Sequence, residues 1–161
     1  MGIEKLAVIV NTFGSSLVSV SKEMGLEVNL VKSEVVQGVH VTGTCVAALV
    51  GVVGGGVQGT VVIMLDKEGF DATVSAMSGQ MIVPDLEDSV SMSVIGELAN
   101  MVSGRALVQG GLQGTEVTPP QLITGAGIRT IPIQSAGIRS FTLPFRVLSG
   151  GTLFLVLSFH A

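Results

Sequence analysis

Two long segments of the chain repeat their apolar residues at helical spacing. In residues 3–24 the apolar side chains recur every three or four positions, and Gly25 follows as a natural stop. A second pattern of this kind covers residues 88–107 and follows the acidic stretch 84–88, whose carboxylates suit the positive end of a helix dipole. The spacing therefore predicts two long helices, at 3–24 and 88–107.

Each predicted helix is followed by three segments with strand character. After the first helix, residues 26–36 alternate apolar and polar side chains, and the two apolar runs on either side of the glycines at 54–56 indicate a hairpin. A short helix is predicted at 70–77, before the second long helix. Three further strand-like runs follow that helix, near residues 115–125, 138–148 and 151–159.

The order of elements, a long helix and then three strands, occurs twice. We therefore predict a single α/β domain of the α+β type, covering residues 1–161. Its two pseudo-repeats, at about 1–69 and 86–161, are joined by a short helix and linker at 70–85. Neighbouring strands are expected to be mostly antiparallel, and both long helices are expected to cover one face of a shared sheet. A chain of this length can bury a core without disulfides.

Charge and composition narrow the classes of function. Hydrophobic residues make up 47% of the chain and charged residues only 12%, so much of the surface must consist of small uncharged side chains, which favours association. The net charge of −4, with scattered Lys and Arg, gives no basic stripe for nucleic acid. The longest uncharged apolar stretch, CVAALVGVVGGGV from Cys45, is shorter than the roughly 20 residues that span a membrane. With no basic leader at the N-terminus, we expect a cytoplasmic protein without a membrane span.

The cysteine and histidine residues show no pattern typical of a reactive thiol or a metal site. Cys45 is the only cysteine and lies in an apolar run, where a thiol usually acts as a small hydrophobic side chain. His40 and His160 have no Cys or carboxylate at ligand spacing. The sequence therefore predicts no metal site and no cofactor of the chain's own.

The second long helix carries a polar stripe with an unusual composition. At about 100° per residue, Ser93, Glu97, Asn100 and Gly104 share one side of the helix, with Gly96 beside them. This stripe has two interpretations. It is the solvent-exposed face of an amphipathic helix, or it is a docking face whose one carboxylate and one amide project from small residues that let another surface come close.

The residues around this stripe resemble a known signature. The segment SVIGELANMVSG, with its Ser93-x3-Glu97-x2-Asn100 spacing, is followed by TPPQLITG at 118–125. Together they resemble the signature of the CheC/CheX/FliY phosphatases, and a single copy in a short chain is most similar to the CheX branch. The predicted duplication of a helix and three strands matches the fold of that family, so the resemblance covers nearly the whole chain.

The sequence departs from the family pattern at two places. The proline that the family places after the Asn is matched by Pro119 or Pro120, at a slightly shorter spacing. In the first helix, Asn11 is the position predicted to correspond to Asn100, but the residue three positions earlier is Val8 rather than Glu. We therefore do not expect a second active face.

The resemblance implies that the chain dephosphorylates a CheY-type response regulator. The aspartyl phosphate of such a regulator lies beside its own Mg²⁺ and a lysine, and a phosphatase needs to add a correctly placed water. On this resemblance Asn100 orients the water and Glu97 pairs with the regulator's lysine. Ser93, Gly96, Gly104 and Pro120 are assigned supporting or partner-docking roles.

An alternative from another class remains open. The chain could be a non-catalytic adaptor or switch-complex component that binds a regulator through the same helix face. In either case we expect a homodimer, because strands as uncharged as residues 45–53 and 152–159 would be aggregation-prone as open edges. The resemblance to CheX also implies a homodimer.

Overall fold

A computed structural model of the protein describes residues 2–131 and 137–160. Both long helices are confirmed, within two residues of their predicted ends, and the predicted short helix begins three residues early. A 3₁₀ turn at Lys32–Glu34 separates the first two strands. In chain order the elements are α1 Ile3–Glu23, β1 Val28–Leu30, β2 Val36–Gln37, β3 Val46–Gly54, β4 Val57–Leu65, α2 Lys67–Met77, α3 Ser89–Gln109, β5 Thr115–Val117, β6 Gln121–Thr124, β7 Ile138–Val147 and β8 Thr152–His160.

The strands form one sheet in the order β1-β7-β8-β4-β3-β5. Beside these, β2 also pairs with β7, and β6 also pairs with β3. Every pairing in the described part of the chain is antiparallel. The predicted α+β class with a shared antiparallel sheet is therefore confirmed, except that the first strand of each predicted trio is broken into two short strands.

The two halves of the chain exchange their short strands. β1 and β2 from the first half pair with β7 of the second half, while β5 and β6 from the second half pair with β3 of the first. The long strands β4 and β8 lie side by side at the centre. Each half therefore supplies the short strands that pair with an outer long strand of the other half.

Glycines form the turn between β3 and β4. Gly54 pairs with Val57, so the turn contains only Gly55 and Gly56. Both have positive φ angles, of 57° and 77°, which side chains with a Cβ rarely adopt. Two successive residues of this kind match the twist of the flanking strands, and the predicted hairpin is confirmed.

α1 and α3 pack together on one face of the sheet. The buried stripe of α1 includes Leu6, Phe13 and Leu17, and the Phe13 ring lies 5.9 Å from the ring of Phe159 in β8. By length and composition α1 could also cross a membrane, a property that it shares with core helices of soluble proteins. Because its apolar stripe is buried against the sheet, α1 is a core helix of a soluble-type fold.

The described residues cover the other face of the sheet only in part. A small cluster of buried side chains, which includes Met64, Phe154 and Val156, packs against Val41 and Ile128 from two long loops. Next to it lies an open groove of about 430 Å³. Its apolar lining includes Leu49, Val53, Val62, Ile131 and Ile138.

Candidate active site

The start of α3 is held in place by a buried serine. The Ser91 hydroxyl donates to the carbonyl of Val83 at 3.2 Å and accepts from the N–H of Asp85 at 3.1 Å. The Asp88 carboxylate caps the helix by accepting from the N–H of Val90 at 3.0 Å. The loop before α3 and its first turn are therefore tied to each other, which fixes the starting direction of the helix.

The predicted polar stripe lies on the outer surface of α3. Ser93, Glu97, Asn100 and Gly104 are all exposed, and Glu97 and Asn100 are neighbours one turn apart. The Ser93 hydroxyl donates to the carbonyl of Val90 at 2.6 Å, so it is engaged within its own helix. Apart from the adjoining residues and the backbone of α3 itself, no heavy atom of the described residues lies within 4 Å of the place that a Cβ on Gly104 would take. The carboxylate and the amide therefore project from a surface with open space on the C-terminal side.

Gly96 does not face this open surface. It is buried, and a Cβ added to it would lie 3.2 Å from Cγ of Pro120 and 3.4 Å from Cδ2 of Leu122. Pro120 itself is partly buried. The two residues thus meet under the helix rather than beside the exposed stripe, where the helical wheel had placed Gly96.

A threonine that the sequence analysis did not single out holds the loop under α3. The backbone N–H of Thr118 donates to the carbonyl of Gly51 in β3 at 2.9 Å, and its Oγ1 accepts from the N–H of Gly51 at 2.7 Å. A Cβ on Gly51 would lie 3.1 Å from this Oγ1. The adjoining prolines mark a loop, but only the pairing of β5 and β6 with β3 brings Thr118 to Gly51.

α1 holds α3 from the other side. The Ser16 hydroxyl donates to the carbonyl of Val102 at 2.8 Å. The Arg105 guanidinium donates two hydrogen bonds to the Glu23 carboxylate, at 2.8 and 2.7 Å, and these bonds lower the pKa of Glu23. Ser103 faces the same interior, and its buried hydroxyl has no hydrogen-bond partner among the described residues.

The ends of α1 and α3 show which positions of the two helices correspond. Each helix is followed by a glycine with positive φ, Gly25 and Gly111. The next residue, Leu26 or Leu112, donates its N–H to the carbonyl five positions back, at 2.8 and 3.0 Å respectively. This is the same C-terminal turn in both halves, and it provides a register for comparing them.

In this register Asn11 corresponds to Glu97, and Gly14 corresponds to Asn100. Gly14 is buried, and a Cβ on it would lie 3.2 Å from Cδ2 of Leu143. The comparison of Asn11 with Asn100 made from sequence was therefore wrong by three positions. The expectation that it supported is unchanged, because α1 carries no Glu and Asn at the two corresponding positions.

The remaining candidate groups lie apart from this surface. Cys45 is partly buried, and burial raises the pKa of its thiol, which disfavours the reactive thiolate. His40 and His160 are exposed. Among residues 2–131 and 137–160, no group of three His, Cys, Asp or Glu side chains is placed to hold a metal ion.

Comparison with known proteins identifies the family. Residues 46–146 match the family described as chemotaxis phosphatase CheX. The chain belongs to the CheX family. It is 29% identical over 154 residues to the CheY-P phosphatase CheX of Thermotoga maritima, covering 89% of this chain and 97% of that one. The resemblance noted from the stripe is thereby confirmed.

Solved structures agree with this CheX assignment. The CheX crystal structure from Vibrio vulnificus has a TM-score of 0.74 at 27% identity, over 94% of this chain and 99% of that one. The CheX–CheY–BeF₃–Mg²⁺ complex from Borrelia burgdorferi contains a chain that matches with a TM-score of 0.70 at 20% identity, over 94% and 97% of the two chains. The fold of this chain is thus the CheX fold. The segment that matches the CheX family contains α3, Gly51, Thr118 and Pro120.

Proposed function

We propose that this member of the CheX family is a phosphatase that hydrolyses the aspartyl phosphate of a CheY-type response regulator. The observation that carries the proposal is the exposed pair of Glu97 and Asn100, one turn apart on α3 and flanked by open space at Gly104. The Thermotoga relative is named a CheY-P phosphatase, and the Borrelia relative was solved with CheY. Membership of the family and the geometry of the stripe point to the same activity.

Asn100 is assigned the orientation of the attacking water. Its amide oxygen accepts a hydrogen bond from the water, and its short side chain restricts where that water lies. The water oxygen attacks phosphorus while the bond from phosphorus to the aspartyl oxygen breaks. The products are inorganic phosphate, which takes up the water's proton, and the regulator's free aspartate. The Mg²⁺ that stabilises the developing charge belongs to the regulator, so this chain contributes positioning rather than a cofactor.

Glu97 is assigned the docking contact. Its carboxylate lies one turn before Asn100 on the same exposed line, where it can pair with the lysine beside the regulator's phosphoaspartate. Gly104 leaves room for the partner's surface beyond Asn100, and Ser93 supports the helix turn on the other side. A face with few long side chains allows the amide to come close enough to the phosphoryl group to hold the attacking water between them.

The competing interpretation is an adaptor that binds the regulator without hydrolysing it. The two are separated by charging a CheY-type regulator from the same organism with acetyl phosphate and following phosphate release with and without this chain. A phosphatase should accelerate release at least about tenfold. Tight binding of the regulator with an unchanged rate of phosphate release would contradict the phosphatase proposal and favour the adaptor.

We also propose that the protein is cytoplasmic and that it forms a homodimer. The dimer is proposed on different grounds from those used in the sequence analysis. Residues 45–53 and 152–159 belong largely to β3 and β8, which have neighbours on both sides, so neither is an open edge. Among the described residues, one area of exposed apolar surface lies instead at the groove on the partly covered sheet face, where Ile131 is 78% exposed. A second copy that covers this groove would remove that surface from water.

The dimer is tested by sedimentation at micromolar concentration. The wild-type chain should sediment as a dimer, and Ile131→Asp should shift it toward monomer by placing a charge in the groove. Val83→Asp is the matched control, since Val83 is 83% exposed in the loop before α3 and lies outside the groove. A wild-type monomer, or equal effects of the two substitutions, would contradict this interface.

A further inference from the structure

The turn of α3 that carries Glu97 lies unusually close to the loop beneath it. Gly96 and Pro120 approach so closely that a Cβ on Gly96 would require the neighbouring atoms to shift by a few tenths of an ångström. We propose that this contact sets the position of the Glu97–Asn100 turn relative to the sheet, which makes Gly96 and Pro120 positioning residues that do not touch the partner. The inference rests on the proposed phosphatase function and assigns these two residues a specific part in it.

The surface under Gly96 is stiff. Its nearest atom belongs to a proline ring, which cannot rotate away as a flexible side chain does, and Pro119 restricts the backbone before it. The second neighbour is Leu122 of β6, whose backbone is paired with Ala48 in β3. A group added to Gly96 would therefore displace the helix more readily than the loop.

This loop is attached to an interior strand. Two hydrogen bonds join Thr118 to Gly51 on one side of Pro120, and the pairing of β6 with β3 fixes Leu122 on the other. β3 itself lies between β4 and the short strands β5 and β6. A continuous series of contacts thus runs from β3 through the 118–122 segment to Gly96, which immediately precedes Glu97.

Catalysis by positioning is sensitive to displacements of this size. A misplacement of about 1 Å can cost about 100-fold in rate, so a shift of a few tenths of an ångström should cost several-fold to about tenfold. Binding of the regulator should tolerate such a shift better than catalysis does, because docking depends on a larger surface. A small shift of the turn should consequently lower the turnover rate much more than the affinity.

The test is the pair of substitutions Gly96→Ala and Pro120→Ala, alone and combined. Gly96→Ala should lower the rate of phosphate release at saturating regulator by about tenfold, with half-saturation changed less than about threefold. The double variant should recover most of this loss, since removal of the ring carbons makes room for the new methyl group. Such non-additivity is expected of residues in contact and not of distant, independent ones.

The matched control is Gly14→Ala in α1. Gly14 is also a buried helix glycine, and its added Cβ would lie 3.2 Å from a side-chain carbon, as for Gly96, but that carbon belongs to Leu143 of β7, outside both α3 and the 118–122 segment. Thermal unfolding of each variant measures the strain in the fold. Gly14→Ala should keep the wild-type release rate even if its melting temperature falls as much as that of Gly96→Ala.

Three results would overturn the positioning role. They are a wild-type release rate for Gly96→Ala, an equal loss of rate for Gly14→Ala, and a double variant whose loss is the product of the two single losses. If Gly96→Ala does not fold, the double variant decides, because relief of the contact should restore both folding and release. Failure of the wild-type chain to accelerate release would instead contradict the proposed phosphatase function itself.

Discussion

Replacement of Asn100 by Ala should lower the rate of regulator dephosphorylation by about 100-fold while binding of the phosphorylated regulator stays within about threefold of wild type. The amide acts on the water only as it attacks, so its loss removes stabilisation of the transition state rather than of the complex. Asn100 is exposed, and Ala favours helix, so the fold should be unaffected. The measurements are single-turnover phosphate release and affinity for a regulator loaded with BeF₃.

Gln109→Ala provides the matched control for this prediction. Gln109 is the last residue of α3, is exposed, and carries the same amide group as Asn100. It lies beyond the polar stripe, so its loss should leave both rate and affinity unchanged. Near-normal turnover in Asn100→Ala together with a collapse of binding would contradict the catalytic assignment and favour the adaptor.

The helices and the hairpin could be predicted from sequence because their signals are local. The apolar spacing that defines residues 3–24 and 88–107 is a property of each segment, and a helix ends where a glycine such as Gly25 follows. The exchange of short strands between halves left no such signal. Which strand β1 or β5 pairs with depends on contacts between residues far apart in the chain.

The polar stripe of α3 was predictable for the same reason, whereas the contacts that hold the loop beneath α3 were not. A helical wheel places Glu97 and Asn100 on one side of the helix, and both are exposed. It also placed Gly96 beside them, because the wheel does not show that the loop at Pro120 covers that side. Thr118 was missed since its partner, Gly51, belongs to the other half of the chain.

Replacement of Glu97 by Lys should act on binding rather than on chemistry. The proposed partner of the carboxylate is the lysine beside the regulator's phosphoaspartate, and a second cation at this point would repel it. Opposed like charges at an interface cost several kcal/mol, so affinity for the BeF₃-loaded regulator should fall by about 100-fold or more. The loss should be smaller at high salt, because Glu97 is exposed and its interactions are screened.

Glu34→Lys separates this local effect from a change of overall charge. Glu34 is exposed in the 3₁₀ turn between β1 and β2, at the edge of the sheet opposite β5 and β6, and its substitution changes the net charge by the same amount. If Glu97 contacts the regulator's lysine, Glu34→Lys should leave affinity within about threefold of wild type. A regulator whose lysine is replaced by Ala should then bind Glu97→Lys about as well as it binds the wild-type chain. Equal losses in Glu97→Lys and Glu34→Lys would mean that the regulator senses only the net charge of the protein, and the docking role of Glu97 would be wrong.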